Sequence, residues 1–164
     1  MMNMKIFDNI QKKVLILSLV ISIGVIFQGC AFIRPKSPEI SEIITNIQKV
    51  TDLSVMKKGN KTNLRKNYSI NTKGLNDFVL YAPKNNMQAN QILILKVVNE
   101  DDMDGLLENL ENIIEAQSNS FKEYSPDQYE ILENHTLKIK GNYLILIVSK
   151  DVDKITKVVN DSFK

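Results

Sequence analysis

Cysteine, histidine and glycine are scarce in this chain, and each scarcity removes a chemistry. Cys30 is the only cysteine among 164 residues, so no intramolecular disulfide can form and no cysteine-based zinc site can be built. His135 is the only histidine, which leaves histidine-based catalysis almost nothing to work with. It stands in the polar stretch Glu133-Asn134-His135-Thr136 and reads as exposed. The six glycines form neither a G-x-S-x-G elbow nor a glycine-rich phosphate loop. No apolar run reaches the roughly 20 residues that cross a bilayer as a helix. A formal net charge of +2 carries no nucleic-acid footprint. No metal and no cofactor is expected.

What the chain does have begins at its N-terminus. Lys5, Lys12 and Lys13 precede Val14 to Phe27, fourteen residues without a charge, and polar residues resume at Arg34. A positive region followed by an apolar core of this length is the pattern of a removable signal peptide, here residues 1–29. A short transmembrane anchor would need about four more apolar residues. The segment Phe27-Gln28-Gly29-Cys30 resembles the lipobox of bacterial lipoproteins. That resemblance implies cleavage between Gly29 and Cys30 and acylation of the Cys30 thiol, as in palmitate-bearing lipoproteins. Two acyl chains hold a protein stably where one gives only reversible binding. The expected address is the extracytoplasmic face of the cell membrane, with Cys30→Ala leaving the chain unprocessed or shed.

The expected mature chain, Cys30 to Lys164, has 135 residues, enough for one domain with its own core. Its charge is asymmetric. Residues 31–73 hold nine basic residues against three acidic, and residues 74–164 hold nine against fifteen. The basic segment adjoins the expected lipid, where it would meet anionic phospholipid or wall polymer; a solvated stalk is the plainer alternative.

Residues 30–38 read as the acylated cysteine and a linker, because Pro35 and Pro38 block a helix. Residues 39–164 read as a single domain. Ile40, Ile43, Ile44 and Ile47 predict a first helix through about Val50, capped by Ser37 or Ser41. Residues 54–76 are polar and basic, with one short helical turn pairing Leu64 with Tyr68. Phe78 to Tyr81 and Ile92 to Val98 predict two strands joined by a loop with Pro83, Asn85 and Asn86. Met103, Leu106, Leu107, Leu110, Ile113, Ile114, Gln117, Phe121 and Tyr124 form one stripe, predicting a helix from about Asp102 to Tyr124 that Pro126 ends. Leu137 and Ile139 alternate with Thr136, Lys138 and Lys140, and Gly141-Asn142 signals a hairpin turn. Tyr143 to Val148 is apolar on both faces, as a central strand is. Asp151 caps a last helix with Val152, Ile155, Val158, Val159 and Phe163 inward. The expected fold is α+β: an antiparallel four-stranded sheet from two hairpins, with two to three helices covering at least one face, in the order helix-strand-strand-helix-strand-strand-helix.

The run Phe121-Lys122-Glu123-Tyr124-Ser125-Pro126-Asp127-Gln128-Tyr129-Glu130, followed by Lys140-Gly141-Asn142-Tyr143 and Ser149-Lys150-Asp151, resembles a family of Gram-positive lipoproteins known as domain of unknown function 4358. The likeness runs from about Ile40 to Phe163 and is specific over residues 117–151. It implies an address and a fold, and it lends no activity.

Three local constellations bear on chemistry. Glu100, Asp102, Asp104, Gly105 and Glu111 fall at positions one, three, five, six and twelve of a calcium-binding EF-hand loop, and Leu107 at the apolar eighth. The preceding strand and the helical stripe starting at Met103 favour an acidic helix start instead. Glu123, Asp127, Glu130 and Glu133 flank the Tyr-Pro-Tyr turn, and glycosidases use two carboxyl groups about 5–10 Å apart. Phe121, Tyr124, Pro126 and Tyr129 form the candidate binding patch, read either as a lid on the core with Tyr124 largely buried or as an exposed aromatic platform. Two functions follow as expectations: a non-catalytic binding or interaction module with an unknown protein or ligand partner, or a small envelope-polymer hydrolase.

Overall fold

The two strands without a polar face determine the architecture. β3 (Gln91–Val97) and β5 (Tyr143–Val148) pair antiparallel, with Ile92 opposite Ile147 and Ile94 opposite Ile145. Successive side chains of a strand point to opposite faces, so these runs demand cover on both. Leu93, Leu95, Leu144, Leu146 and Val148 enter one core; Ile92, Ile94, Tyr143, Ile145 and Ile147 enter another. A computed structural model describes residues 37–164. The expected signal peptide, the Gly29-Cys30 cleavage pair and most of the linker lie outside the described residues.

Three helices supply the first cover: α2 (Lys61–Tyr68), α3 (Met103–Phe121) and α4 (Pro126–Glu133). On the opposite face, α1 (Ile40–Ile47) and α5 (Val152–Ser162) bury Ile40, Ile43, Ile44, Ile47, Ile155 and Val159. β2 (Leu75–Ala82), β4 (Thr136–Lys140) and the two-residue β1 (Lys57–Lys58) complete an antiparallel sheet in the order β1-β2-β3-β5-β4.

The fold is thus α+β as expected, with five strands and five helices among the described residues in place of four and two to three. The fifth strand is Lys57-Lys58, paired with Ala82 and Tyr81. Two exposed lysines carry no apolar alternation, so nothing in their own residues announces a strand. Gly59 lets this edge lie close: its N–H donates to the Leu80 carbonyl at 2.8 Å, and a Cβ there would stand 2.6 Å from Leu80 Cδ2. The expected helical turn at Leu64 and Tyr68 is a full helix of eight residues, begun by a reciprocal Asn60–Asn63 capping box.

Pro126 does more than stop a helix. α3 ends at Phe121, and Pro126 opens α4 at its first position, where its missing N–H costs nothing. Glu39 stands at the N-cap of α1 without a side-chain bond, in place of Ser37 or Ser41. Asp151 likewise gives α5 no cap bond; it accepts from Lys154 Nζ at 2.7 Å and Thr51 Oγ1 at 3.0 Å, which hold its carboxyl below the usual range. Gly141 takes the positive φ of 53° that the β4–β5 turn requires. On the edge strand β4, Leu137 packs against the core, while Ile139 stays 41 % exposed.

Candidate functional site

Where α3 runs out, its last buried residue and the turn beyond it part company. Phe121 is 6 % exposed and sits in the core, whereas Tyr124 is 54 % exposed, which corrects the expected burial of Tyr124. The physical reason is that residues 122–124 are no longer helical, so a three-residue step no longer returns to the same face. The two rings still touch, with centroids 5.2 Å apart and planes tilted by 39°. Pro126 is exposed on the first turn of α4, and Tyr129 packs half-buried against the same core.

Phe121 and Tyr124 form one wall of a cleft of about 550 Å³, between the C-terminal half of α3, the end of α2 and the β2–β3 loop. This volume lies in the range of small-ligand sites. Pro126 and Tyr129 are not among its lining residues, so the structure splits the sequence-predicted patch in two. The polar lining is dominated by side-chain amides: Asn67, Asn85, Asn86, Gln88 and Gln117, with Ser120 and Lys84. Among the described residues that line it there is no carboxylate and no histidine.

One amide deep in the sheet is tied to the cleft lining through Gln117. Gln91, fully buried at the start of β3, accepts from the Tyr68 hydroxyl at 2.5 Å. Its Nε2 donates to Gln117 Oε1 at 2.6 Å. Burial pushes the Tyr68 phenol well above its ordinary pKa, so the hydroxyl keeps the proton it donates. Reversing the Gln91 amide would leave that O–H without an acceptor, so Tyr68 sets the sense of the relay. Gln117 therefore has its oxygen occupied and its NH2 left at the cleft.

Further bonds brace the walls. The N–H of Ala89 donates to Gln128 Oε1 at 2.9 Å, joining the β2–β3 loop to α4. Asn109 Nδ2 donates to the Tyr68 carbonyl at 2.7 Å, joining α3 to α2. Among the described residues one buried side-chain polar atom lacks a hydrogen-bond partner, Gln88 Oε1, and Gln88 lines this cleft. An unpaired buried acceptor costs about 1–3 kcal/mol.

Sequence reasoning missed the relay. Its one visible sign is that polar Gln117 recurs on the apolar stripe of α3, and Gln91 heads an otherwise apolar strand.

The acidic residues disperse. Asp127 and Glu130 of α4 line a second cleft of about 650 Å³ with Asn134, Ser149, Lys150 and Asp153. Glu133 accepts from Ser118 Oγ at 2.8 Å, and Glu123 is exposed on the turn. His135 is half-buried instead of exposed, its Nδ1 donating to the Leu132 carbonyl at 2.6 Å. Glu100–Asp102 form a single 3-10 turn running directly into α3, which places Glu111 within that helix. Among the described residues no group of three or more potential ligands converges on a metal position. Calcium or EDTA should therefore leave the melting temperature of the wild type and of Asp102→Ala unchanged; a calcium-dependent rise lost in that variant would establish an ion site.

The family described as "Domain of unknown function (DUF4358)" matches residues 49–149. The chain belongs to this family. Its match takes in the whole sheet and α2 to α4, and therefore every residue lining the amide cleft. No curated protein and no solved structure matches the chain.

Proposed function

We propose that this protein is a lipoprotein of a Gram-positive type of envelope, acylated at Cys30 after removal of residues 1–29. In this reading it is a non-catalytic binding module at the extracytoplasmic face of the membrane, and the amide cleft is its ligand site. The observation that carries the binding role is the lining itself. A cleft of small-ligand size presents amides, an exposed tyrosine and one lysine, with no carboxylate and no histidine among its described lining residues, a surface suited to recognition and poor in groups that move protons near neutral pH.

The anchoring half rests on the signal-peptide pattern and the Gly29-Cys30 pair. No described helix is long and apolar enough to cross a membrane. The point where the linker joins the domain fits a tethered binder. The Pro38 carbonyl accepts from the Tyr143 hydroxyl at 2.5 Å, so the linker meets the sheet at its Lys96–Tyr143–Lys140 row. Gln91 lies five residues along the same strand from Lys96, roughly 17 Å away at about 3.3 Å per residue. The cleft therefore opens near the end of the sheet away from the linker. The basic residues between 31 and 73 would add attraction to anionic lipid or wall polymer.

A hydrolase reading would use the second cleft, where Asp127, Glu130 and Asp153 meet. One experiment separates the two. The acylated protein is incubated with solubilised envelope fragments, and retained and released species are followed by mass spectrometry. A binder retains fragments unchanged and loses them in Tyr124→Ala, whose fold should be intact. Shortened products that vanish in Glu130→Gln or Asp127→Asn would make it an enzyme. For the anchor, Cys30→Ala should be released from membranes, and an unmodified Cys30 in membrane-bound wild type would overturn acylation.

A further inference from the structure

The polarity of the cleft's hydrogen-bonding groups narrows what it can hold. Because Tyr68 donates into the relay, Gln91 spends its amide N–H on Gln117, and Gln117 is left to present its own NH2. Gln88 offers the opposite, an oxygen with no donor. The cleft wall thus holds a donor on α3 and, buried within the β2–β3 loop, an acceptor without a partner, beside the exposed Tyr124 ring.

We infer that the amide cleft recognises an N-acylated amino sugar. The acetamido carbonyl accepts from Gln117 Nε2, the acetamido N–H donates to Gln88 Oε1, and the C–H face of the sugar ring lies on Tyr124. This inference rests on the binding role proposed above and adds the ligand's class. Gln88 Oε1 is buried in the cleft wall, but the residue as a whole is half-exposed on an Asn-rich loop, so rotation of its side chain brings that oxygen to the ligand without disturbing the sheet. Asn86 remains for ring hydroxyls, which are donors and acceptors alike, with the Asn85 NH2 and the Ser120 oxygen beside it; the Asn85 oxygen already accepts from the Met87 N–H and the Ser120 hydroxyl already donates to the Ala116 carbonyl. With only Lys84 charged, the lining suits a neutral sugar better than a polyanion.

A peptide carries the same amide chemistry but is recognised chiefly through free backbone groups of a strand edge. The strands beside this cleft offer little of that. β3 lies between β2 and β5, and the end of β2 is taken by β1 through Lys57–Ala82 and Lys58–Tyr81. Side-chain amides are the hydrogen-bonding surface that remains, and they match an isolated acyl-amide flanked by hydroxyls.

The test is titration calorimetry on the full-length acylated protein in detergent with three probes: tri-N-acetylchitotriose, its de-N-acetylated counterpart, and N-acetyl-tetraalanine amide. The acetylated sugar should bind, and the de-N-acetylated one should bind at least about tenfold more weakly, the effect of one to two lost hydrogen bonds. Gln117→Glu turns the donor into a charged acceptor at the same size and should lose at least about tenfold, while its melting temperature shows the fold retained. Tyr124→Ala, at an exposed position, should also weaken binding. Equal affinity for the two sugars would overturn the acetamido assignment, and so would tighter binding of the peptide or no binding of any probe. In each of those cases the retention of envelope fragments, lost in Tyr124→Ala, judges the binding role separately.

Discussion

Phe121→Ala is expected to lower the unfolding free energy by about 3–5 kcal/mol, the usual effect of emptying a buried aromatic site. A domain of this size has only about 5–15 kcal/mol in total, so the variant should be close to unfolding at body temperature. Phe121 closes the core where α3 meets the sheet, among Ile114, Leu132 and Val148 in the same cluster. Tyr124→Ala should behave differently. Its ring is more than half exposed and keeps one tilted contact with Phe121, so its loss should cost about 1 kcal/mol. Urea denaturation of the two variants gives the comparison directly. Equal losses would mean that Tyr124 is part of the core after all.

Gln91→Leu is the second large effect. The substitution preserves approximate size but leaves the Tyr68 hydroxyl, in a residue only 2 % exposed, without its acceptor. An orphaned buried donor costs about 1–3 kcal/mol, whereas removing both partners together can be nearly neutral. Adding Tyr68→Phe to Gln91→Leu should therefore recover most of the loss, and the double-mutant cycle should show coupling of about 0.5–3 kcal/mol. Additive losses in the cycle would show that the two side chains are not coupled and that the relay has no energetic role.

The polar residues of the cleft escape notice in the chain because of where they stand in it. Asn67, Gln88 and Gln117 lie far apart, on an exposed helix end, a loop and a helix stripe. Alone, each is an ordinary solvated amide. Only the crossing of α3 over the Gln91 end of β3 makes them one lining.

Period decides what a linear chain can announce. Tyr143 to Val148 and Ile92 to Val97 are apolar at every step but one, and that alone requires two covered faces and a central place in the sheet. The isoleucines of α1, the stripe of α3 and the Gly141 turn are equally local, because each depends on residues within one or two turns of one another. The two-residue strand Lys57-Lys58, by contrast, exists only because β2 offers it a free edge. Helix α4 begins at Pro126 because the chain must leave the α3 axis to cover Leu132 and Ile131. The outward turn of Tyr124 follows from where α3 stops, and the Tyr68–Gln91–Gln117 relay from three segments meeting across 49 residues. Local sequence determined the sheet's buried strands and the three helices α1, α3 and α5 that cover much of them. Tertiary packing alone decided which polar groups came to share a cleft, because side-chain amides take their meaning from their partners and those partners are distant in the chain.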